Sequence, residues 1–226
     1  DKIIHVVGPE QTDYFKVVFK ALEFVMPETK DHEVYLPYGW VSLKSGKMAS
    51  RKGNVVLAEW LIDEIKKQGL QEETALAAIK YSILKSSRLK NIKFDIKESI
   101  SLHGESGPYL QYAYARIQSI LKKTKFKPVG TGQCPVPTLQ DQEKKLIFKL
   151  ALYPEITKQA AQDFEPSLIA KYLFELAQDF SEYYHKIPIL KSQDLEKNFR
   201  LNLIDQIAKT LKHGLYLLSI DVLEKM

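Results

Sequence analysis

The sequence predicts an α/β segment that gives way to an all-α one, and three observations carry that reading. Strand-like apolar runs alternate with a helical stretch up to Leu43. From Leu57 onward apolar residues recur at helical spacing, and strand signals nearly vanish. A stretch rich in Pro and Gly, Lys127 to Pro137, reads as a loop, and beyond it lie further helical segments with long apolar stripes.

The first element is Ile3-Ile4-His5-Val6-Val7, apolar on both alternating faces apart from His5, as a strand of a parallel sheet covered by helices tends to be. Gly8 and Pro9 stop it. In Gln11 to Val25, Phe15, Val18, Phe19 and Leu22 fall at helical spacing, which makes a strand-turn-helix unit. Glu33 to Tyr38 is a second extended piece and leads through Val41-Ser42-Leu43 into a polar, Gly-containing loop. Leu57, Leu61, Ile62 and Ile65 mark a helix, and Ala75, Leu76, Ile79 and Ile83 mark another. The segments Gln142 to Tyr153, Pro166 to Tyr184 and Phe199 to Ser219 follow. Stripes such as Ile169, Leu173, Leu176 and Phe180, or Ile204, Ile207, Leu211 and Leu215, predict a bundle. The change of domain is placed near Ser99 to Ser106, which divides the chain into 1–103 and 104–226.

Composition narrows the function classes. With 45% apolar and 27% charged residues the chain has the profile of a soluble globular protein. No run approaches the roughly 20 apolar residues that span a bilayer, and Asp1-Lys2-Ile3-Ile4 lacks the order of a signal peptide. A cytoplasmic location and no membrane partner are therefore expected. The single cysteine, Cys134, cannot form an internal disulfide, and no His/Cys cluster has zinc-ligand spacing, so no structural metal is expected. The chain starts with Asp1 inside an apolar run, which suggests that upstream sequence has been removed. A net charge of +5 is compatible with a polyanionic partner, and is also common in proteins that bind none.

The densest chemistry lies in Ser45-Gly46-Lys47-Met48-Ala49-Ser50-Arg51-Lys52-Gly53-Asn54. Lys47, Arg51, Lys52 and the Ser50 hydroxyl, flanked by Gly46 and Gly53, can surround a triphosphate and neutralise charge as it moves to a leaving pyrophosphate. The glycine spacing is not that of a Walker A loop. On chemistry alone, a solvated basic turn is the commoner explanation of such a run. A second segment, Gly104 to Arg116, offers Pro108 for a first helical turn with Ser106 as its cap. At about 100° per residue, Leu110, Ala113, Tyr114, Ile117 and Leu121 share one face, which is core. Tyr109, Tyr112 and Arg116 share another, suited either to ordinary packing or to stacking and phosphate contact with RNA.

These two segments carry a resemblance. Lys47 to Val56 looks like the KMSKS signature of class I aminoacyl-tRNA synthetases, in the extended form typical of arginyl-tRNA synthetases. Gly104 to Arg116 resembles the stretch with which those enzymes enter their helical C-terminal domain. The rest, including Leu152 to Ile156, Leu176 to Phe180 and the ending Glu224-Lys225-Met226, is similar to their anticodon-binding domain. The resemblance implies the second half of a Rossmann-like class I catalytic domain followed by a helical-bundle anticodon-binding domain of DALR type. It implies arginine-tRNA ligase activity with ATP and its Mg2+, and tRNA-Arg as partner, with arginine and ATP serving the full-length enzyme; a monomer is expected, though nothing in the sequence fixes the oligomeric state. The residues it assigns are Lys47, Ser50 and Lys52 for catalysis, and Gly8, Gln11, Lys47, Met48, Ser50 and Arg51 for ATP, with a plain strand-turn role standing as the alternative to adenosine contact for Gly8 and Gln11. For tRNA it assigns Tyr109, Tyr112 and Arg116. Ala49 stands where the signature usually has Ser, and Ser50 where it has its second Lys.

The HIGH signature of the same class is missing: His5, His32, His103, His185 and His213 all lack its context. The fragment alone is therefore expected to be inactive in adenylation. A non-catalytic tRNA-binding module and another class I synthetase, such as a cysteinyl type, stand as alternatives. The basic run Lys85, Arg88, Lys90, Lys93 and Lys97 reads first as solvated surface, Tyr183-Tyr184-His185 as core and helix end, and Asp95 as a cap or turn residue.

Overall fold

A strand, a helix and a strand open the chain: β1 (Ile3–Val7), α1 (Thr12–Val25) and β2 (Glu33–Pro37). β1 and β2 pair in parallel with His5 opposite Tyr35, and parallel pairing requires the crossover that α1 supplies. The structure is a computed structural model that describes residues 2–44, 57–126 and 137–226. α1 lays its apolar stripe on the strand pair. The Phe15 and Phe19 rings each lie 5.3 Å from the His5 imidazole, and Phe19 lies 6.3 Å from Tyr35. His5 is thus a packed residue, with its Nε2 also 2.7 Å from Glu33 Oε2. Coverage of the pair differs from the expectation. Ile4 and Val6, which alternate to the face away from His5, are 45% and 67% exposed. Among the described residues α1 is the helix that packs on this pair.

Short strands β3 (Val41–Leu43) and β4 (Ile92–Phe94) form a second parallel pair, Leu43 opposite Phe94. One short strand does lie beyond Leu57, where strand signals nearly vanish: β4 sits inside the basic run, and three residues are too few to show a period. Its approach is set by Gly39, whose N–H donates to Arg88 O at 2.7 Å. A Cβ on Gly39 would lie 2.3 Å from the Lys90 carbonyl oxygen, so only glycine fits. The Arg88 guanidinium donates to Pro37 O at 3.1 Å, and Lys44 Nζ to Asp95 Oδ2 at 2.9 Å. Part of the basic run is therefore committed to holding backbone in place. These strands and α1 make one compact unit, Asp1–Val55 with Ser86–Asp95; the other comprises Val56–Lys85 and Ile96–Met226.

The second unit is helical: α2 (Ala58–Lys66), α3 (Glu72–Leu84), α4 (Ile96–Ser99), α5 (Gly107–Lys123), α6 (Asp141–Asp163), α7 (Ser167–Lys186) and α8 (Asp194–Leu217). Its core gathers the stripes read from the sequence. Leu110, Ile117, Leu173, Leu176, Phe180, Ile204, Ile207, Leu211 and Leu215 are all at most 1% exposed. α3 joins that core through Ala77 and Tyr81, whose hydroxyl donates to Ala170 O at 3.0 Å. α5 starts against α3 so closely that a Cβ on Gly107 would lie 2.1 Å from Ala77 O. α6 runs on past Tyr153 through an internal Pro154. The missing N–H of proline is outweighed because Ile156 and Ala160 pack into the core beyond it. α8 starts at Asp194, earlier than the apolar stripe indicates, with Asp194 and Glu196 at its positive N-terminal end. A buried ion pair ties the bundle. Glu143 accepts from Arg200 Nε at 2.9 Å, from the Tyr183 hydroxyl at 3.3 Å and from Gln140 N at 2.9 Å. Among the described residues, no helix is long and apolar enough to cross a membrane.

Candidate nucleic-acid interface

Helix α5 organises the candidate site. Ser106 caps it, with its side chain accepting from Tyr109 N at 3.2 Å, and Pro108 sits in the first turn. The core face holds as read from the sequence: Leu110, Ala113, Tyr114, Ile117 and Leu121 are 8% exposed or less. Turned away from that face, Tyr112, Arg116, Ser119 and Lys123 line a cavity of about 420 Å³, closed by Tyr184 of α7 and by Glu224, Lys225 and Met226.

The Arg116 guanidinium lies 4.6 Å above the Tyr112 ring and 5.3 Å above that of Tyr184, and it donates to the Tyr112 hydroxyl. Each ring face attracts the cation, and together they hold its plane in place. A planar cation beside aromatic rings can stack an unpaired base, while Lys123 and Lys225 offer charge to phosphates. Glu224 accepts from Lys122 Nζ at 2.6 Å and from the Tyr114 hydroxyl at 3.3 Å. The Lys122 ammonium holds the Glu224 carboxyl below the usual carboxylate range.

Of the three residues assigned to tRNA, the structure brings Tyr112 and Arg116 together at the cavity. Tyr109 sets its ring edge against Phe174, 5.7 Å away, and burial raises its phenol above the ordinary value, opposed by a Ser181 hydrogen bond and by Arg116. Tyr184 stands beside the pair although its neighbour Tyr183 is fully buried. The helical stripe of α7 gives Tyr183 to the core and could have marked Tyr184 as the outward residue, but no sequence period links it to α5. Glu224, Lys225 and Met226 carried no local signal beyond their place at the end of the resemblance.

The nucleotide assignments fall in the first unit. Gly8 precedes and Gln11 ends a short 3-10 turn just beyond the carboxyl end of β1, with Gln11 N donating to Gly8 O at 3.1 Å. In parallel sheets, ligands bind at that end of the strands. The nearest atoms to a Cβ built on Gly8 would be those of the Glu10 carboxylate, the far end of a flexible side chain. Lys47, Met48, Ser50, Arg51 and Lys52 lie outside the described residues.

The helical unit has known counterparts. The family model of the DALR anticodon binding domain matches residues 110–226, slightly more than half of the chain. The chain belongs to that family. Along its whole length it is also similar to arginine-tRNA ligases. It is 37% identical over 250 aligned residues to that of Bacteroides thetaiotaomicron and 38% identical over 242 to that of Streptococcus pneumoniae, covering 100% of this chain and 42% of each relative. The chain thus spans about two fifths of the length of the curated relatives it matches. The solved arginyl-tRNA synthetase of Thermus thermophilus superposes with a TM-score of 0.87 at 27% identity, covering 100% of this chain and 41% of that one. The resemblance carried by the segments around Lys47 and Tyr109 therefore holds along the entire chain.

Proposed function

We propose that this chain is part of an arginine-tRNA ligase, in which residues 104–226 grip tRNA-Arg and residues 1–103 contribute to the ATP site. The observation that carries the reading is the Arg116 guanidinium held over Tyr112 and Tyr184 at a cavity inside a domain of the anticodon-binding family. In the full-length enzyme the arginine carboxylate attacks the α-phosphorus of ATP and displaces pyrophosphate. The arginyl group then passes to the terminal ribose hydroxyl of tRNA, releasing AMP. Lys47 neutralises charge on the departing phosphates with Arg51 and Lys52 adding to the positive field, the Ser50 hydroxyl hydrogen-bonds at the loop that Met48 completes, and Gly8 and Gln11 approach the adenosine from the end of β1. Mg2+ enters with ATP, bound to its phosphates. The protein acts as a cytoplasmic monomer.

Support for the RNA half comes from the family match and the stacked cation; support for the ATP half comes from the signature-like residues and the parallel β1 and β2 pair. The isolated chain, lacking a HIGH tetrapeptide, acts as a tRNA-binding module without adenylation activity. The test is equilibrium binding of the chain to a tRNA-Arg transcript, to an anticodon-mutated tRNA-Arg and to an unrelated tRNA across a salt series. Selective binding that weakens with the anticodon change is expected. Equal, salt-labile binding to all three reduces the surface to a generic basic one and removes the arginine-specific reading.

A further inference from the structure

The residues that follow α8 close the cavity without forming helix or strand themselves. Their first part is fixed by the core: Ile220 is buried, Val222 packs against the cluster, and the fully buried Gln111 donates from Nε2 to Asp221 O at 2.8 Å. Further along, a carboxylate takes over. Glu224 Oε1 accepts from the Tyr114 hydroxyl and Oε2 from Lys122 Nζ, so Gln111, Tyr114 and Lys122 tie this segment to α5 at three points along the helix. Lys225 and Met226 then face Tyr112, Arg116 and Lys123 across the cavity.

A carboxylate is the wrong sign for a phosphate-binding surface, so its presence on the wall calls for a reason. We propose that Glu224 is a positioning residue: it latches the segment beyond α8 onto α5, so that Lys225 and Met226 complete the wall against which RNA docks. The inference rests on reading the cavity as an RNA site. It predicts the opposite sign from simple electrostatics. Removing a negative charge next to Arg116, Lys123 and Lys225 should tighten binding to a polyanion if charge alone mattered. Loss of the latch should weaken it, because an untethered segment must be ordered again on binding.

The test uses the 226-residue chain with Glu224→Gln and the reversed pair Lys122→Glu/Glu224→Lys. tRNA-Arg transcript binding is read by anisotropy at fixed salt, and backbone amide exchange over residues 222–226 is read without RNA. E224Q is expected to bind about three- to fivefold more weakly, in keeping with a solvent-accessible pair, and to exchange faster in 222–226 while α5 stays protected. The reversed pair is expected to return both readouts to near wild type. Unchanged or tighter binding by E224Q overturns the proposal, as does unchanged exchange. If the wild-type chain binds no tRNA while E224Q still speeds exchange, the latch holds its segment but the RNA reading of the cavity fails, and the proposed role fails with it.

Discussion

Glu143→Ala removes the acceptor on which α6, α7 and α8 converge. The Glu143 and Arg200 side chains are 1% and 8% exposed, so the pair sits in a region where water cannot replace a lost partner. Truncating one member of a buried pair generally costs about 3–5 kcal/mol, because the other charge is left uncompensated. Here the alanine variant also strands the Tyr183 hydroxyl and the Gln140 N–H, so the upper part of that range is expected. Against a typical total of about 5–15 kcal/mol, the loss is large. With a denaturant slope of about 2–3 kcal/mol/M, it moves the urea midpoint down by roughly 1.5–2 M. The assay is urea unfolding of the chain followed by far-UV ellipticity near neutral pH, which reports the helical unit. Glu182→Ala is the control: its partner Lys186 is on the surface, and the midpoint should not move. Glu143→Gln, which keeps an acceptor, should fall between the two. If E143A shifts the midpoint no further than E182A, the buried pair does not hold the bundle together and the argument is refuted.

Gly107→Ala should destabilise the helical unit by about 1–3 kcal/mol, since its Cβ would press on the Ala77 carbonyl at 2.1 Å and α3 would have to give way; an unchanged thermal midpoint would refute the close-approach argument. Burial pushes up the phenols of Tyr81, Tyr114, Tyr153, Tyr172 and Tyr183, those of Tyr114 and Tyr153 to about 12. Unfolded tyrosine ionises near pH ~10, so the folded state binds the extra protons. Their stabilising effect is intact below about pH 10 and is lost as pH rises through the folded values. Absorbance titration should show a late-ionising class coincident with unfolding; ionisation of all twelve tyrosines at the ordinary value in the folded protein would contradict it. Arg116→Ala should weaken tRNA-Arg binding about tenfold or more, with Arg116→Lys intermediate because it keeps the cation and loses the planar face. A lysine variant equal to wild type would show that only the charge matters.

Where periodicity and burial coincide, the sequence was legible. The α5 face from Leu110 to Leu121 and the α7 stripe through Phe180 are core because a helix repeats its contacts every three or four residues, and nothing else in those segments competes. β4 was hidden because Ile92 and Phe94 are set among lysines and make sense only beside Val41 and Leu43, which lie far away in sequence. The extension of α6 past Pro154 was hidden for another reason: local propensity argues for a stop there, and tertiary packing of Ile156 and Ala160 overrides it. At the candidate site, the adjacency of Tyr112 and Arg116 was readable because they share one helix, four residues apart. Tyr184 and Glu224 reach the same place from other elements, and single-chain spacing carries no information about such convergence. Arg200 and Glu143 were unreadable as partners for the same reason.

The interleaving of the two units has a practical consequence for anyone preparing pieces of this protein. The strand unit is assembled from Asp1–Val55 and Ser86–Asp95, and the stretch between them, with α2 and α3, belongs to the bundle. No single scission of the polypeptide can release either one whole. An expression clone that begins at residue 104 discards Ala77 and Tyr81 and leaves the Ala170 carbonyl without its phenol donor and Gly107 facing solvent. A self-sufficient bundle would begin at α2 and replace 86–95 with a short spacer.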